Sequence, residues 1–262
     1  MAMFLVKCKI LVNEQVSLNG WRMVFRAPQI AIEAKPGQFI HIRCTDQFDP
    51  LLRRPFSIYR VDEQEGNVEI AYKIVGKGTS LLSGKRSGEL LEVLGPLGRG
   101  FTIKGVKSAL LIGEGIGVAS LMYLTDKLTR LKIPVQAIVG VKNRDEMVGE
   151  EDFKTFGIKV RILHGGEREY QEALGKLMEK LLGEEEVTHA FGCGSNHMLA
   201  KTSQITERHG IPYQISLYQN MACGIGACLC CARKFKSDFG VAYRLVCRDG
   251  PVFDSREVLW EV

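Results

Sequence analysis

The stretch Ser108-Ala-Leu-Leu-Ile-Gly113-Glu-Gly115-Ile-Gly117 is where the chain changes rhythm. An apolar run of strand length ends in three alternating glycines. The segment beyond them carries Leu121, Met122, Leu124, Leu128 and Leu131 at helical spacing. Strand, glycine turn and helix in that order open a parallel sheet with helices on its faces. The glycines at 113, 115 and 117 also let a dinucleotide phosphate approach backbone N–H groups. The spacing is G-x-G-x-G rather than G-x-G-x-x-G, and Glu114 puts a carboxylate near where phosphates would lie, so a merely tight turn is the alternative.

Downstream, Val135 to Val141, Lys159 to Leu163, His189 to Cys193 and Tyr213 to Leu217 read as further strands. Tyr170 to Leu182 and Ser195 to His209 read as helices between them, which predicts a doubly wound parallel sheet. Gly192-Cys193-Gly194 closes one strand and would face the same crevice, with Cys193 either near a nicotinamide or simply lining the turn. Upstream, short apolar runs alternate with turn signals: Phe4 to Val12, Trp21 to Arg26, Phe39 to Arg43, Phe56 to Arg60, Val68 to Ile74 and Leu90 to Leu94. Pro28, Pro36-Gly37, Asp49-Pro50, Glu65-Gly66 and Gly95-Pro96 punctuate them as in an antiparallel Greek-key β-barrel, with a short helix at Thr79 to Ser83. Three units are expected: a barrel over 1–102, a nucleotide-type α/β unit over 103–218, and a small C-terminal unit over 219–262.

That last unit has neither period, apart from possible short strands at Tyr243 to Cys247 and Val252 to Phe253. It does have Cys223-Gly-Ile-Gly-Ala-Cys228-Leu-Cys-Cys231, with Cys247 after fifteen further residues. This is the C-x4-C-x2-C…C spacing of plant-type [2Fe-2S] sites. Gly224, Gly226 and Ala227 let the chain wrap closely and aim amides at sulfur. Structural zinc is the alternative, but it usually takes two close cysteine pairs, and Cys247 stands alone. Cys230 adjoins Cys231 and reads as a bystander thiol, and Cys8 and Cys44 as small buried hydrophobes.

Bulk properties narrow the classes. Apolar residues make up 45% and charged residues 25%, which predicts a folded globular chain. The net charge of +5 comes from interspersed lysine, arginine, aspartate and glutamate without a basic block, which argues against nucleic acid. Lys7 and Lys9 interrupt the first apolar run, and nothing approaches the roughly 20 apolar residues a membrane helix needs. Five of eight cysteines crowd near the C-terminus, the pattern of a metal site in a reducing cytoplasm rather than a disulfide framework.

Arg54-Pro55-Phe56-Ser57 enters a barrel strand, and Tyr72-Lys73 and Gly76-Lys77-Gly78-Thr79 follow. An arginine fork and a glycine–threonine turn each hold a pyrophosphate; a surface arginine and an ordinary turn are the plainer reading.

Taken in order, Arg54-Pro-Phe-Ser57, Gly113-x-Gly115-x-Gly117, Phe191-Gly-Cys193-Gly194 and the cysteine cluster resemble the ferredoxin reductase superfamily over the whole chain. Within it, Met221-Ala-Cys-Gly-Ile-Gly-Ala-Cys228 and Val246-Cys-Arg-Asp-Gly-Pro-Val-Phe253 resemble electron-transfer subunits of two-subunit, NAD-dependent dihydroorotate dehydrogenases. The resemblance implies FAD held by Arg54 to Ser57, Ala71 to Lys73 and Gly78-Thr79. It implies NADH over Gly113 to Gly117. It also implies an FMN-containing dihydroorotate dehydrogenase catalytic subunit as partner, as a heterotetramer of two of each chain. The family usually has glycine at Glu114 and proline at Ser120, and the superfamily has proline at Ser195.

NADH gives up two electrons as hydride and a [2Fe-2S] cluster takes one at a time, so a flavin is needed between them. No side-chain acid or base is required, and no catalytic residue is named. Two other readings compete: a related NAD(P)H:ferredoxin-type reductase subunit serving another dehydrogenase, and a FAD and cluster relay without pyridine nucleotide. Subunits of the first kind commonly use aspartate as one cluster ligand, where this chain has Cys223.

Overall fold

A computed structural model describes residues 2–165, 167–184 and 186–260; Met1, Glu261 and Val262, the outer ends of the first and third expected units, lie outside them. The first unit holds β1 (Phe4–Gln15), β2 (Gly20–Arg26), α1 (Pro28–Glu33), β3 (Phe39–Arg43), β4 (Arg54–Ser57), β5 (Arg60–Asp62), β6 (Asn67–Lys73), α2 (Lys77–Ser83) and β7 (Leu90–Leu97). The strands form one antiparallel sheet in the order β4-β3-β7-β1-β2-β6-β5. Its two edges, β4 and β5, are joined by Ile58 and Tyr59 alone, so the sheet must curl until they meet. The Ile58 and Tyr59 amides fasten that corner, donating to Gln38 and Glu69 carbonyls at 3.1 and 2.8 Å. The expected single strand Phe56 to Arg60 is therefore two strands at a corner. Pro28 opens α1 rather than a turn, its fixed φ suiting a first helical position.

The second unit runs β8 (Ala109–Glu114), α3 (Ala119–Arg130), β9 (Val135–Val141), α4 (Glu150–Thr155), β10 (Val160–His164), α5 (Glu167–Glu184), β11 (His189–Cys193), α6 (Asn196–Arg208) and β12 (Tyr213–Ser216). Its strands are parallel in the order β10-β9-β8-β11-β12. Chain order reverses between β8 and β11, the switch point of a doubly wound sheet.

The C-terminal segment adds β13 (Ala232–Ser237), β14 (Gly240–Leu245), α7 (Val246–Asp249) and β15 (Val252–Asp254). The strand expected through Cys247 ends at Leu245, whose N–H donates to the Asp249 carboxylate at 2.8 Å and closes a helical turn. β13 and β14 form a hairpin, while β15 runs antiparallel to β12 and becomes the edge of the parallel sheet. Phe253 on β15 meets Phe235 on β13 with ring centroids 4.5 Å apart, in a core that also contains Leu110, Ile112, Ile215 and Cys247. The cysteine-rich segment thus shares the α/β core.

Truncating Phe253 to Ala removes the contact that docks this segment. The expected loss is about 3–5 kcal/mol in chemical denaturation; a loss below about 1 kcal/mol would show that the segment is held by other means.

Candidate functional site

Three sets of residues converge where the barrel, the α/β sheet and the C-terminal segment meet. At the switch point, the turn after β8 lies against the end of β11. A Cβ on Gly117 would come within 2.4 Å of the Cys193 carbonyl oxygen, so only glycine lets the turns pack. Gly115 has φ +54°, a left-handed conformation glycine adopts readily. The Glu114 Oε2 accepts the Ser195 N–H at 2.7 Å, and the Ser195 hydroxyl in turn accepts the Met198 N–H at 3.2 Å and caps α6. A cavity of about 740 Å³ opens here, lined by Lys73, Glu114, Gly115, Gly140, Tyr170 and Ser195 among others.

On the barrel, Arg54 lies across the start of α2: a Cβ on Gly78 would sit 3.1 Å from its Nε and 3.2 Å from Cys44 Sγ. The Thr79 hydroxyl accepts the N–H groups of Val75 and Gly76 at 2.9 and 3.2 Å, so it shapes the turn. Phe56, Ala71 and Tyr72 point into buried surroundings; Tyr72 packs edge-on against Phe56 and donates to Asn13 at 2.9 Å. These three offer a ligand only backbone. That backbone is open on one edge of β6: β2 pairs with Ile70 to Lys73 on one side, while on the other β5 pairs only as far as Glu69. Arg54, Pro55, Ser57 and Lys73 remain as side chains on the rim.

One link between the units was not legible in sequence. The Ser57 hydroxyl on β4 meets the Ser120 hydroxyl on α3 at 2.7 Å, and the buried Cys193 thiol on β11 donates to Ser120 at 3.4 Å. Burial pushes the Cys193 thiol up to about 11, so it stays protonated at neutral pH. Three groups far apart in the chain thus meet at one seam.

The four cysteines form two pairs. The Cys231 and Cys247 sulfurs are buried and 3.2 Å apart, and Cys228 donates from its N–H and its side chain toward Cys223. Cys230 is exposed, next to the buried Cys231. Partial burial works against ionising Cys223, yet N–H groups of Ile225, Cys228 and Ala227 aimed at its sulfur bring that thiol down to about 6. Burial first, and then the neighbouring Cys231 sulfur, push Cys247 up to about 12. Among the described residues no three His, Cys, Asp or Glu side chains gather as around one ion. A binuclear cluster takes two thiolates per iron, so two pairs with preformed amide donors fit it. Leu229, between the pairs, has φ +60°, a left-handed conformation uncommon for a bulky residue.

Beneath this turn lies His41 of β3, which sequence reasoning passed over because a lone histidine in a strand carries no signal. It is fully buried, and neither ring nitrogen has a hydrogen-bond partner among the described residues. A Cβ on Gly224 would lie 2.7–2.9 Å from its ring atoms, so the cysteine turn rests directly on the imidazole. The next strand, β4, pairs Pro55 with His41 and carries the Arg54 to Ser57 motif.

Fold and site together define a ferredoxin reductase-like flavoprotein module with an appended iron–sulfur segment. Residues 7–101 match the oxidoreductase FAD-binding domain family, and residues 219–259 the iron–sulfur cluster binding domain of dihydroorotate dehydrogenase B. The chain is 36% identical to the dihydroorotate dehydrogenase B (NAD(+)) electron transfer subunit of Desulforamulus reducens, covering 97% of both chains. It is also 36% identical to the subunit of that name from Caldanaerobacter subterraneus subsp. tengcongensis, covering 97% of this chain and 98% of the relative. Among solved structures, an NADH-dependent reduced ferredoxin-NADP oxidoreductase superposes with a TM-score of 0.83 at 25% identity, over 97% of this chain and 90% of that one. The chain belongs to the family of dihydroorotate dehydrogenase B electron transfer subunits.

His41 supplies a pH test. Burial, and then the charge of Arg53, lower its pKa from 6.5 to about 4. The folded state therefore binds fewer protons than the unfolded one between those values, and stability is lost as pH falls through 6.5 toward 4. Between pH 7 and pH 5 the wild type should lose about 2 kcal/mol more than His41→Leu in denaturant titrations. Parallel pH profiles would contradict a buried neutral imidazole.

Proposed function

We propose that this chain carries electrons between NADH and a dihydroorotate dehydrogenase catalytic subunit, serving pyrimidine biosynthesis. FAD would sit on the barrel unit (1–102), NADH on the α/β unit (103–218), and a [2Fe-2S] cluster on the C-terminal unit (219–262). The observation that carries this reading is adjacency: the cysteine turn rests on His41 of β3, and the Arg54 to Ser57 motif lies on the neighbouring strand. Neighbouring strands are about 4.8 Å apart, so the two redox sites share a wall.

When bound, FAD supplies the exchange between hydride pairs and single electrons, and the cluster supplies a one-electron outlet. The protein's part is to hold and orient. Arg54, Gly78 and Thr79 form a pyrophosphate cradle, and the open edge of β6 at Ala71 to Lys73 offers backbone groups to the flavin. Ser57, with Pro55 and Phe56, presents the reactive end toward Ser120. Gly113, Gly115 and Gly117 would let the dinucleotide phosphates approach the backbone, and Cys193 and Gly194 would bring the nicotinamide to the same seam. Cys223 and Cys228 hold one iron, Cys231 and Cys247 the other. A protonated, buried Cys193 fits a seam that needs no acid or base.

The catalytic partner would carry FMN and dock against the cluster side, two copies of each chain forming a heterotetramer. Ile225 and Leu229 support this surface: both are apolar and exposed beside Cys228. A reducing cytoplasm suits cysteines that must reach iron as thiolates.

Anaerobically prepared FAD-loaded protein should contain about two irons per chain. NADH should bleach its flavin absorbance, as should dihydroorotate once the dehydrogenase subunit is added. Cys230→Ser should keep the iron, and the double variant Cys228→Ser/Cys231→Ser should lose it. Zinc in place of iron, or iron that survives the double substitution, would overturn the assignment.

A further inference from the structure

The Glu114 carboxylate spans the switch point. It leaves the end of β8, and its Oε2 accepts the N–H of Ser195, the residue that caps α6. The approach is close: a Cβ on Gly194 would lie 2.7 Å from Glu114 Cβ and 3.2 Å from Oε2. α6 is thirteen residues long, and the free amides at such a helix start favour a negative charge. In this chain the negative charge comes from its own glutamate.

A second feature points to a ligand at the same place. Tyr170 is more than nine-tenths buried against Gly140, and its hydroxyl has no hydrogen-bond partner among the described residues. It lines the same 740 Å³ cavity as Glu114 and Ser195. Burial and then the Glu114 charge hold this phenol well above its ordinary pKa, so the unpartnered hydroxyl keeps its proton. Lys73 and Lys142 line the cavity as cations, with Lys73 paired to Glu146 at 2.6 Å. The lining thus sets two lysines against Glu114 and Glu146, which leaves donors for a phosphate, but its helix-start seat is taken.

We propose that Glu114 sets nucleotide affinity by occupying the seat at α6 that a dinucleotide pyrophosphate needs, so that the nucleotide binds only when the carboxylate leaves Ser195. The inference rests on NADH using this crevice. The exchange is one for one: Ser195 N–H gives up a carboxylate oxygen and takes a phosphate oxygen, with no net hydrogen bond gained. The displaced carboxylate stays attached to the end of β8, close to the incoming phosphates. Binding is thereby weaker, and release faster, than in a chain with glycine at 114.

The experiment is calorimetric titration of FAD- and cluster-loaded protein with NAD+ and, separately, ADP-ribose, which carries the pyrophosphate without the nicotinamide. Glu114→Gly should tighten both ligands by about ten-fold, and Glu114→Gln, which keeps an acceptor for Ser195 but loses the charge, by a smaller factor. Ligand-free Glu114→Gly should melt at a lower temperature than wild type, having lost the tie between the two turns. Equal dissociation constants for all three proteins would overturn the proposal while leaving NADH use intact. No binding by any of them would overturn NADH use as well.

Discussion

Gly224 lies directly on the face of a buried imidazole, and the relation of the two redox-bearing parts depends on that contact. His41 has no room above it for a side chain: any Cβ at position 224 would come within 2.9 Å of three ring atoms. Gly224 itself has φ +72°, so glycine is required there by conformation as well as by space. Because His41 sits in register with Pro55, the cysteine turn is fixed relative to the strand bearing Arg54 and Ser57. The orphaned ring nitrogens beneath the turn are a cost that an apolar side chain would avoid.

The rest of the C-terminal segment is arranged to hold that contact. It has too few apolar residues for a core of its own, and borrows one by adding β15 to the edge of the parallel sheet. The seam between barrel and α/β unit is made differently, by a second apolar core joining Tyr59, Ala71 and Phe101 to Leu111, Met122 and Val139. The polar line Ser57, Ser120 and Cys193 lies at this boundary, where a cofactor on one unit would meet a substrate on the other.

What the sequence disclosed, and what it did not, follows from the range of each interaction. The change from strand periodicity to strand–helix units near Lys107 is local, and so is the spacing of the four cysteines; both were readable. Boundaries failed where a particular side-chain contact decided them. Asp249 accepts the Leu245 N–H and turns the chain at Val246, inside the strand expected from Tyr243 to Cys247. Val252 to Phe253 was recognisable as a strand, but nothing local tells that it joins a sheet whose other members lie before residue 217. His41 and Tyr170 gave no signal because their importance lies in what packs on them, and Ser120 stood out only as a departure from the family's proline, not as the partner of Ser57 and Cys193. Glu114 did stand out, as a charge among glycines, though only the fold brings it to the Ser195 amide.

Crystals of the FAD-loaded protein measured by anomalous diffraction at the iron absorption edge would test the shared wall directly. The account predicts two iron positions between Cys223/Cys228 and Cys231/Cys247, above His41, with the flavin ring against Ser57 on the adjoining strand. A single metal position, or a flavin ring separated from the iron by the parallel sheet, would contradict it.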